Sequence, residues 1–475
     1  MEKLAQKIAQ YVRKNEEKYT DLSRKIWEYA ELAFREEKSA AALIDLMKDE
    51  GFSVETDLAG IPTAFVARYG SGKPVIGFLG EYDALPSLSQ KAGSSVREPL
   101  IPNGAGHGCG HNLLGVGAAA AAIAAKDCMI ELGLSGTVAF YGCPAEEDGS
   151  AKVYMARDGV FNGVDGAFTW HPGGNNSIMG EHSLAAVSVL YSFKGRATHA
   201  AGQPHLGRSA LDACELMNVG VNYMREHMIP EARVHYAYRD AGGGAPNVVQ
   251  DHATLYYYIR APKISQVLEL QKRVDNIARG AALMTETTLS IEVTSGLCDY
   301  IPNRTLSKLL HESFTATGAP EFDEQDFALA RTFWESYPEK EREAKARSYG
   351  AKCGEEYVER FRTQPLEDVI FPLQFPATPL YGSTDVGDVS YVCPTAWLNA
   401  ATYAMGTAGH SWQLAAQSGC SIGEKGMLAA AKAMAHAAVR ALQDPQIIER
   451  AKEEHQKNEP YQCAIPDDMM PPIEK

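Results

Sequence analysis

Apolar residues along the 475-residue chain fall into two kinds of pattern. Early on, short continuous apolar runs bounded by turn residues alternate with stretches of helical spacing. Residues 74–80 (PVIGFLG), 137–143 (TVAFYGC) and 167–170 (AFTW) are such runs and predict strands buried on both faces. Residues 22–50 have helical spacing. The alanine-rich stretch after Asn112 predicts a long buried helix that Asn112 can cap and Gly133 can end, and residues 151–158 suit a short helix. This alternation predicts an α/β catalytic domain with a mostly parallel sheet covered by helices.

From Ala185 the pattern changes. Residues 185–194 alternate as a half-buried strand does, 209–226 form an amphipathic helix, 253–260 a strand, 264–284 a helix and 288–294 a strand. A strand-helix-strand-helix-strand block of this size predicts an inserted α+β domain. The expected organisation is a catalytic domain over 1–184 and 298–475, interrupted by the inserted domain over 185–297. Within the second catalytic part, residues 321–362 are rich in charge and read as a solvated helical insertion, with a partner surface as the alternative. A strand over 396–404, a closing helix over 425–442 and an extended proline-punctuated tail from Pro460 complete the chain.

Composition narrows the function. Acidic residues outnumber basic ones, 60 to 45, for a formal charge of −15, so there is no overall attraction for nucleic-acid phosphates. The first twenty residues are charged and amphipathic and predict no secretory leader, and the apolar stretch 113–125 is short for a membrane span. Nine cysteines are sparse and odd in number, which points to a reducing, cytoplasmic setting.

Four polar clusters share one predicted address. Cys109 and His111 lie in a glycine-rich loop (GAGHGCGHN), Glu146 and Glu147 follow the 137–143 strand, His171 follows AFTW, and His410 lies in a turn (GTAGHSW) after the late strand. In parallel sheets, sites gather outside the carboxyl ends of strands. Cysteine, histidine and glutamate together form a ligand set for divalent metals, and a thiolate or carboxylate can bridge two ions. Of two adjacent glutamates, one can ligate while the other takes a proton from water. Singly, each cluster has a structural reading: a buried thiol beside a histidine, a solvated glutamate pair. Their coincidence at strand ends points to a metal site. Asp83 (GEYDALP) is placed either to orient a ligating histidine or to cap a turn. His199 and Arg260 read equally as a loop residue and a surface charge, or as an oxyanion donor and a carboxylate clamp, with Asn247 upstream of Arg260. His107 and His205 read as structural residues or as supports behind the ligands rather than as ligands, and Asp385 and Asp388 as either supports of the site or turn residues.

Through GEYDALPSLSQKAG, GHGCGHNLLG, YGCPAEEDGSAK, HAAGQPHLGRSALDA, PNVVQ, ALMTETT, STDVGDVS and GTAGHSWQL, the chain resembles the dinuclear metallopeptidase and amidohydrolase family that includes aminoacylases, G-type carboxypeptidases and plant auxin-conjugate hydrolases. The resemblance implies two divalent ions, manganese or alternatively zinc, held by Cys109 as bridging ligand with His111, Glu147, His171 and His410. It implies Glu146 as general base, His199 as an oxyanion donor to a neighbouring subunit, Asn247 and Arg260 as holders of the substrate carboxylate, and the inserted domain as a lid that also dimerises. The partner would be a second copy or a homologous A-type subunit. The implied reaction is hydrolysis of an N-acyl amino acid, such as p-aminobenzoyl-glutamate. The alternatives are an aminoacylase or dipeptidase, or a weak subunit that completes a partner's site. Glu-Tyr before Asp83, GSTDVGDVS and the long charged segment depart from the family pattern and bear on substrate choice.

Overall fold

The computed structural model describes residues 1–473, with side chains for all of these except 349–353 and 356. Its strands, in chain order, are β1 (Ser53–Thr56), β2 (Phe65–Ser71), β3 (Val75–Glu81), β4 (Gly136–Cys143), β5 (Gly166–Gly173), β6 (Ser177–Ile178), β7 (Ala185–Lys194), β8 (Arg233–Asp240), β9 (His252–Ala261), β10 (Thr288–Leu297) and β11 (Thr395–Ala401). They form a seven-stranded sheet of order β1-β2-β4-β3-β5-β11-β6 and a four-stranded sheet of order β10-β7-β9-β8. The fold is α/β, with a mostly parallel sheet in the larger unit and a separate α+β unit inserted into it.

The three apolar runs become β3, β4 and β5, and with β11 they make the parallel centre β4-β3-β5-β11. Both faces of this centre are covered, which is why these strands carry continuous apolar runs. Helix His111–Leu132 is almost wholly buried and packs with helix Ser421–Gln443 against the sheet in one continuous core. It is long and apolar enough to cross a membrane by length and composition, but 89% of its most apolar window lies inside the protein. Gly117 lets it approach β5: a Cβ there would stand 2.9 Å from the Trp170 ring.

All four strands of the second sheet lie within residues 185–297. Helices Ala210–Met224 and Ile264–Thr285 cover one face of it and share a separate core with it. Edge strand β8 was not expected. Of its eight residues only Val234 is buried, although Val234, Tyr236 and Tyr238 alternate along it.

Three other expectations change. Residues 22–50 are not one helix: Glu16–Tyr29 ends with Ala30 in the left-handed region (φ 43°), and a second helix, Glu37–Asp49, follows. Asn112 does not cap its helix, whose N-cap is Gly110; its buried amide instead donates to the carbonyls of Ser23 and Ser418. Gly133 does end it, at φ 61°. Residues 321–362 hold helices Glu324–Glu335, Glu339–Cys353 and Glu355–Thr363, but they are not merely solvated. Ala330 and Phe333 pack with Leu366, Ala404, Ala416 and Ile422, and Ala346, Val358 and Phe361 pack with Met405.

Candidate metal centre

The carboxyl ends of β3, β4, β5 and β11 point to one side of the sheet, and the loops that leave them meet there. Glu81 ends β3 and Asp83 follows it; Glu146 and Glu147 follow β4; His171 lies near the end of β5; His410 lies beyond β11. The loop bearing Cys109 comes in beside them and turns into helix His111–Leu132 at Gly110, whose φ of 81° suits glycine. Gly108 is needed for close approach, since a Cβ there would stand 2.3 Å from Leu88. The Gly108 carbonyl accepts the His410 N–H at 3.0 Å, tying two distant loops together. His410 itself is held at φ 52°, which is uncommon for a side-chain-bearing residue.

Two ligand triads result. Cys109, His111 and His171 offer ligand atoms within 4.8 Å of one another, and so do Cys109, Glu147 and His410. Cys109 is common to both. Its Sγ lies 3.4 Å from His171 Nε2, and Glu147 Oε2 lies 3.2 Å from His410 Nε2. The triads fit divalent ions on a further ground: His111 Nε2 and Glu147 Oε1 are buried and close no hydrogen bond, although the Glu81 carboxylate lies 3.3 Å from Nε2. Buried polar atoms are rarely left so, and both face the cluster. The opposite atoms of the same residues are fixed. His111 Nδ1 lies 2.7 Å from Asp83 Oδ1, and Asp83 Oδ2 accepts the Glu147 N–H at 2.9 Å. Asp83 thus fixes two candidate ligands at once and is no simple turn cap.

Sequence reasoning missed Glu81 and Lys152. Glu81 Oε2 lies 3.3 Å from His111 Nε2, and Glu81, His111 and Glu146 form a third cluster. Buried Lys152 pairs with Glu81 at 2.7 Å and with Asp385 at 2.6 Å. Asp385 also accepts the Lys152 N–H, so it supports the site from behind. The available signal was a carboxylate ending a buried strand, and a lysine in a short helix (AKVYMAR) whose neighbours are apolar.

The electrostatics follow from this crowding. Burial, with the charges of Glu81 and Asp385, pushes the Glu146 carboxyl well up, and burial does the same to Glu147 and to the Cys109 thiol. Burial and His111 push His171 down to about 4. Burial would lower His111, but Cys109 and Asp83 outweigh it and raise that imidazole. A cation among these groups favours the charged thiol and carboxylates and displaces the His111 proton.

A cavity of about 510 Å³ opens over the cluster, lined by Cys109, Glu146, Glu147, His171 and His410 on one side and by Asn175, Met179, Phe371, Leu380 and Ser383 on others. His199, Asn247 and Arg260 do not line it. His199 is exposed on the inserted domain, where its Nδ1 accepts the N–H groups of Ala201 and Gly202 at 3.2 and 3.0 Å. With Nδ1 accepting, Nε2 is left to carry the ring N–H. The Ala200 N–H donates to the Asn247 carbonyl at 2.9 Å, so Asn247 sits beside it. Arg260 donates to Ser383 Oγ at 3.2 Å and so reaches the rim of the cavity. His107 is buried, with Nε2 3.0 Å from the Ile26 carbonyl, and His205 is exposed.

The profile of peptidase family M20/M25/M40 matches residues 77–464. The B subunit of the p-aminobenzoyl-glutamate hydrolase of Escherichia coli (strain K12) is 42% identical over 99% of this chain and 99% of its own. The Xaa-Arg dipeptidase of Mus musculus is 28% identical over 99% of this chain and 95% of its own. Among solved structures, a dinuclear metal-binding M20 peptidase of Bacillus subtilis superposes with a TM-score of 0.60 at 17% identity, covering 91% of this chain and 99% of that one.

Proposed function

The chain belongs to peptidase family M20/M25/M40 and is a metallo-amidohydrolase, and on that premise we propose that it hydrolyses N-acyl amino acids, p-aminobenzoyl-glutamate above all. The observation that carries the reading is the pair of ligand triads sharing Cys109, with Glu146 beside them in the same cavity. Cys109 would bridge two ions, with His111 and His171 on one side and Glu147 and His410 on the other. The ions are manganese or zinc: the Glu147 carboxylate suits manganese, and the Cys109 thiolate and the histidines suit zinc. Such ions would polarise the amide carbonyl and make water nucleophilic at neutral pH. Glu146 takes the proton of the attacking water on its carboxylate and hands it to the departing amine nitrogen. The Nε2–H of His199 meets the oxyanion that develops on the carbonyl. Because His199 lies outside its own chain's cavity, it is offered to the site of a neighbouring subunit. Arg260 at the cavity rim, and Asn247 beside His199, hold the substrate carboxylate.

The residues 185–297 act in this reading as lid and dimerisation domain. The partner is a second copy or a homologous A-type subunit, in line with a relative whose name makes it one subunit of a hydrolase. The setting is the cytoplasm, in keeping with the eight described cysteines, all free thiols. The dipeptidase relative supports a dipeptidase as the second reading. The test is metal analysis of the purified chain together with hydrolysis of p-aminobenzoyl-glutamate, other acyl-amino acids and Xaa-Arg dipeptides. Glu146→Gln is expected to lose about 10²–10⁴-fold in turnover with metal retained, whereas Glu147→Ala loses metal. Equal metal loss in both variants refutes the division of roles. Cleavage of dipeptides alone favours the second reading, and activity only on adding an A-type subunit marks a chain that completes its partner's site.

A further inference from the structure

The inserted domain carries a cationic cluster that the metal centre does not use. In the antiparallel pairing of β8 with β9, Arg233 lies directly opposite Arg260, and His235 directly opposite Tyr258. Strand alternation puts these four side chains on one face of the ribbon, while Val234, Tyr257 and Ile259 are buried on the other. Arg233, His235 and Arg260 line a cavity of about 390 Å³ with Leu184 and Tyr381. Each guanidinium lies over a ring, Arg260 4.4 Å from the Tyr258 centroid and Arg233 5.3 Å from that of Tyr381.

Neither arginine has an acidic partner among the described residues. Arg233 donates to the backbone carbonyls of Pro230 and Ala232, and Arg260 to Tyr381 O and Ser383 Oγ. Arg260 Nε is buried with no partner at all. Like charges directly opposite on a sheet repel and destabilise it. Burial, with Arg260, Arg225 and Arg233 nearby, pushes His235 down, as expected of a strongly electropositive pocket. A planar, bidentate anion relieves all of these costs together. Ser383, which Arg260 touches, also lines the cavity over the metal centre, so the two cavities adjoin.

We propose that Arg233, with His235, forms a specificity subsite for a second carboxylate, so that the preferred substrates are acyl derivatives of a dicarboxylic amino acid. The proposal rests on the amidohydrolase reading, in which Arg260 takes the carboxylate next to the scissile amide. Opposed side chains on paired strands have Cβ atoms ~4.5–5.5 Å apart, and the three carbons between the carboxylates of glutamate span a distance of the same size. Arg260 can therefore hold one carboxylate while Arg233 holds the other.

The test compares p-aminobenzoyl-glutamate with p-aminobenzoyl-glutamine, in which a neutral amide replaces only the side-chain carboxylate, on the metal-loaded wild type, Arg233→Met and Arg233→Lys. Calorimetry on the same proteins reads binding of glutarate against glutaramate. The wild type is expected to prefer the glutamyl substrate by roughly 10–100-fold in kcat/KM. Arg233→Met should bring that ratio close to one while the glutaminyl substrate loses at most a few-fold, and Arg233→Lys should restore part of it. Glutarate binding should weaken in parallel. A wild type indifferent to the side-chain charge, or an equal loss on both substrates in Arg233→Met, overturns the subsite and leaves amide hydrolysis standing. If neither substrate is cleaved, the proposed reaction fails instead. The subsite is then judged by glutarate binding alone: a loss in Arg233→Met supports it, and insensitivity overturns it.

Discussion

Asp83→Asn changes one atom and bears on both His111 and Glu147, two of the proposed ligands. The Asp83 carboxylate takes His111 Nδ1 at 2.7 Å on one oxygen and the Glu147 N–H at 2.9 Å on the other. Burial alone would raise this carboxyl, but His111, the Glu147 N–H and Lys152 outweigh it and hold it below the usual range, so it is an anion in the folded protein. Asparagine fills the same space with one acceptor and one donor. If its oxygen keeps the Glu147 N–H, its amide faces His111 Nδ1, which must then accept. The proton moves to Nε2, the atom that faces the ligand cluster, and ligation must first remove it. The charge-assisted bond is lost as well, at about 1.5–3 kcal/mol. That range corresponds to metal affinity weakened about 10–100-fold, the usual size for a partner behind a ligand. Competition with a chromophoric chelator measures it, and thermal unfolding of the metal-free proteins separates affinity from stability. Unchanged metal affinity, or an equal loss in Glu36→Gln, would refute the reasoning, because Glu36 is a neighbouring buried carboxyl whose contacts run to Thr63 and the Ala145 N–H.

Burial pushes the Cys109 thiol up, so it is protonated without metal, and loading at pH 7 should release a proton from it. Calorimetry in buffers of different ionisation enthalpy reads that proton, and Cys109→Ala should remove it; the same release in both proteins makes Cys109 a bystander. His199→Ala should lose turnover ~10²–10³-fold with metal retained. Mixing it with Glu146→Gln should restore part of the activity once subunits exchange, and exchanged heterodimers that stay inactive would place His199 in its own subunit's site or in none. His436, buried in helix Ser421–Gln443, is pushed down to about 4 by burial, so the unfolded chain binds a proton that the folded one refuses between about pH 6.5 and 4. Its share of stability is complete above pH 6.5 and falls by about 2–3 kcal/mol toward pH 4.5. Urea unfolding of His436→Leu should show a flatter acid limb, and an unchanged slope would assign the acid loss elsewhere.

What the sequence disclosed of the fold was what continuous burial writes into it. β3, β4 and β5 are covered on both faces, and their apolar runs stand out for that reason. β8 was overlooked although Val234, Tyr236 and Tyr238 alternate along it, because it is an edge strand exposed along most of its length and lacks the continuous apolar run of a strand buried on both faces. The break after Tyr29 was hidden differently. Apolar residues keep helical spacing through the loop, and its left-handed residues, Ala30 and Phe34, are not the glycines that usually announce such a turn. At the site, residues just beyond strand ends could be read because a parallel sheet gathers them by topology alone, although Glu81, the last residue of β3, was passed over as part of the strand. Lys152 could not, since its role depends on a buried neighbourhood of Glu81 and Asp385, which are 71 and 233 residues away in the chain.

The charged segment shows why composition misleads where a helix has one narrow buried face. Read by charge, residues 321–362 belong to solvent, yet their inner face holds the stretch that leads to His410. The Tyr337 hydroxyl accepts the Ala408 N–H at 3.1 Å, and Lys345 Nζ donates to the Gly406 carbonyl. Gly406, at φ 83°, leaves the space in which Phe361 packs, and the Met405 N–H bonds to the Pro365 carbonyl at 2.7 Å. From the other side Gln417 takes the Ala404 N–H and Gly108 takes that of His410. A free loop would have to be ordered when metal arrives, at a cost of about 1–2 kcal/mol for each residue fixed. Here residues 404–410 are ordered by the fold beforehand, with His410 already in its uncommon backbone conformation. The free energy of metal binding then goes into affinity, and the insertion belongs to the construction of the site although none of its residues faces the ligand cluster.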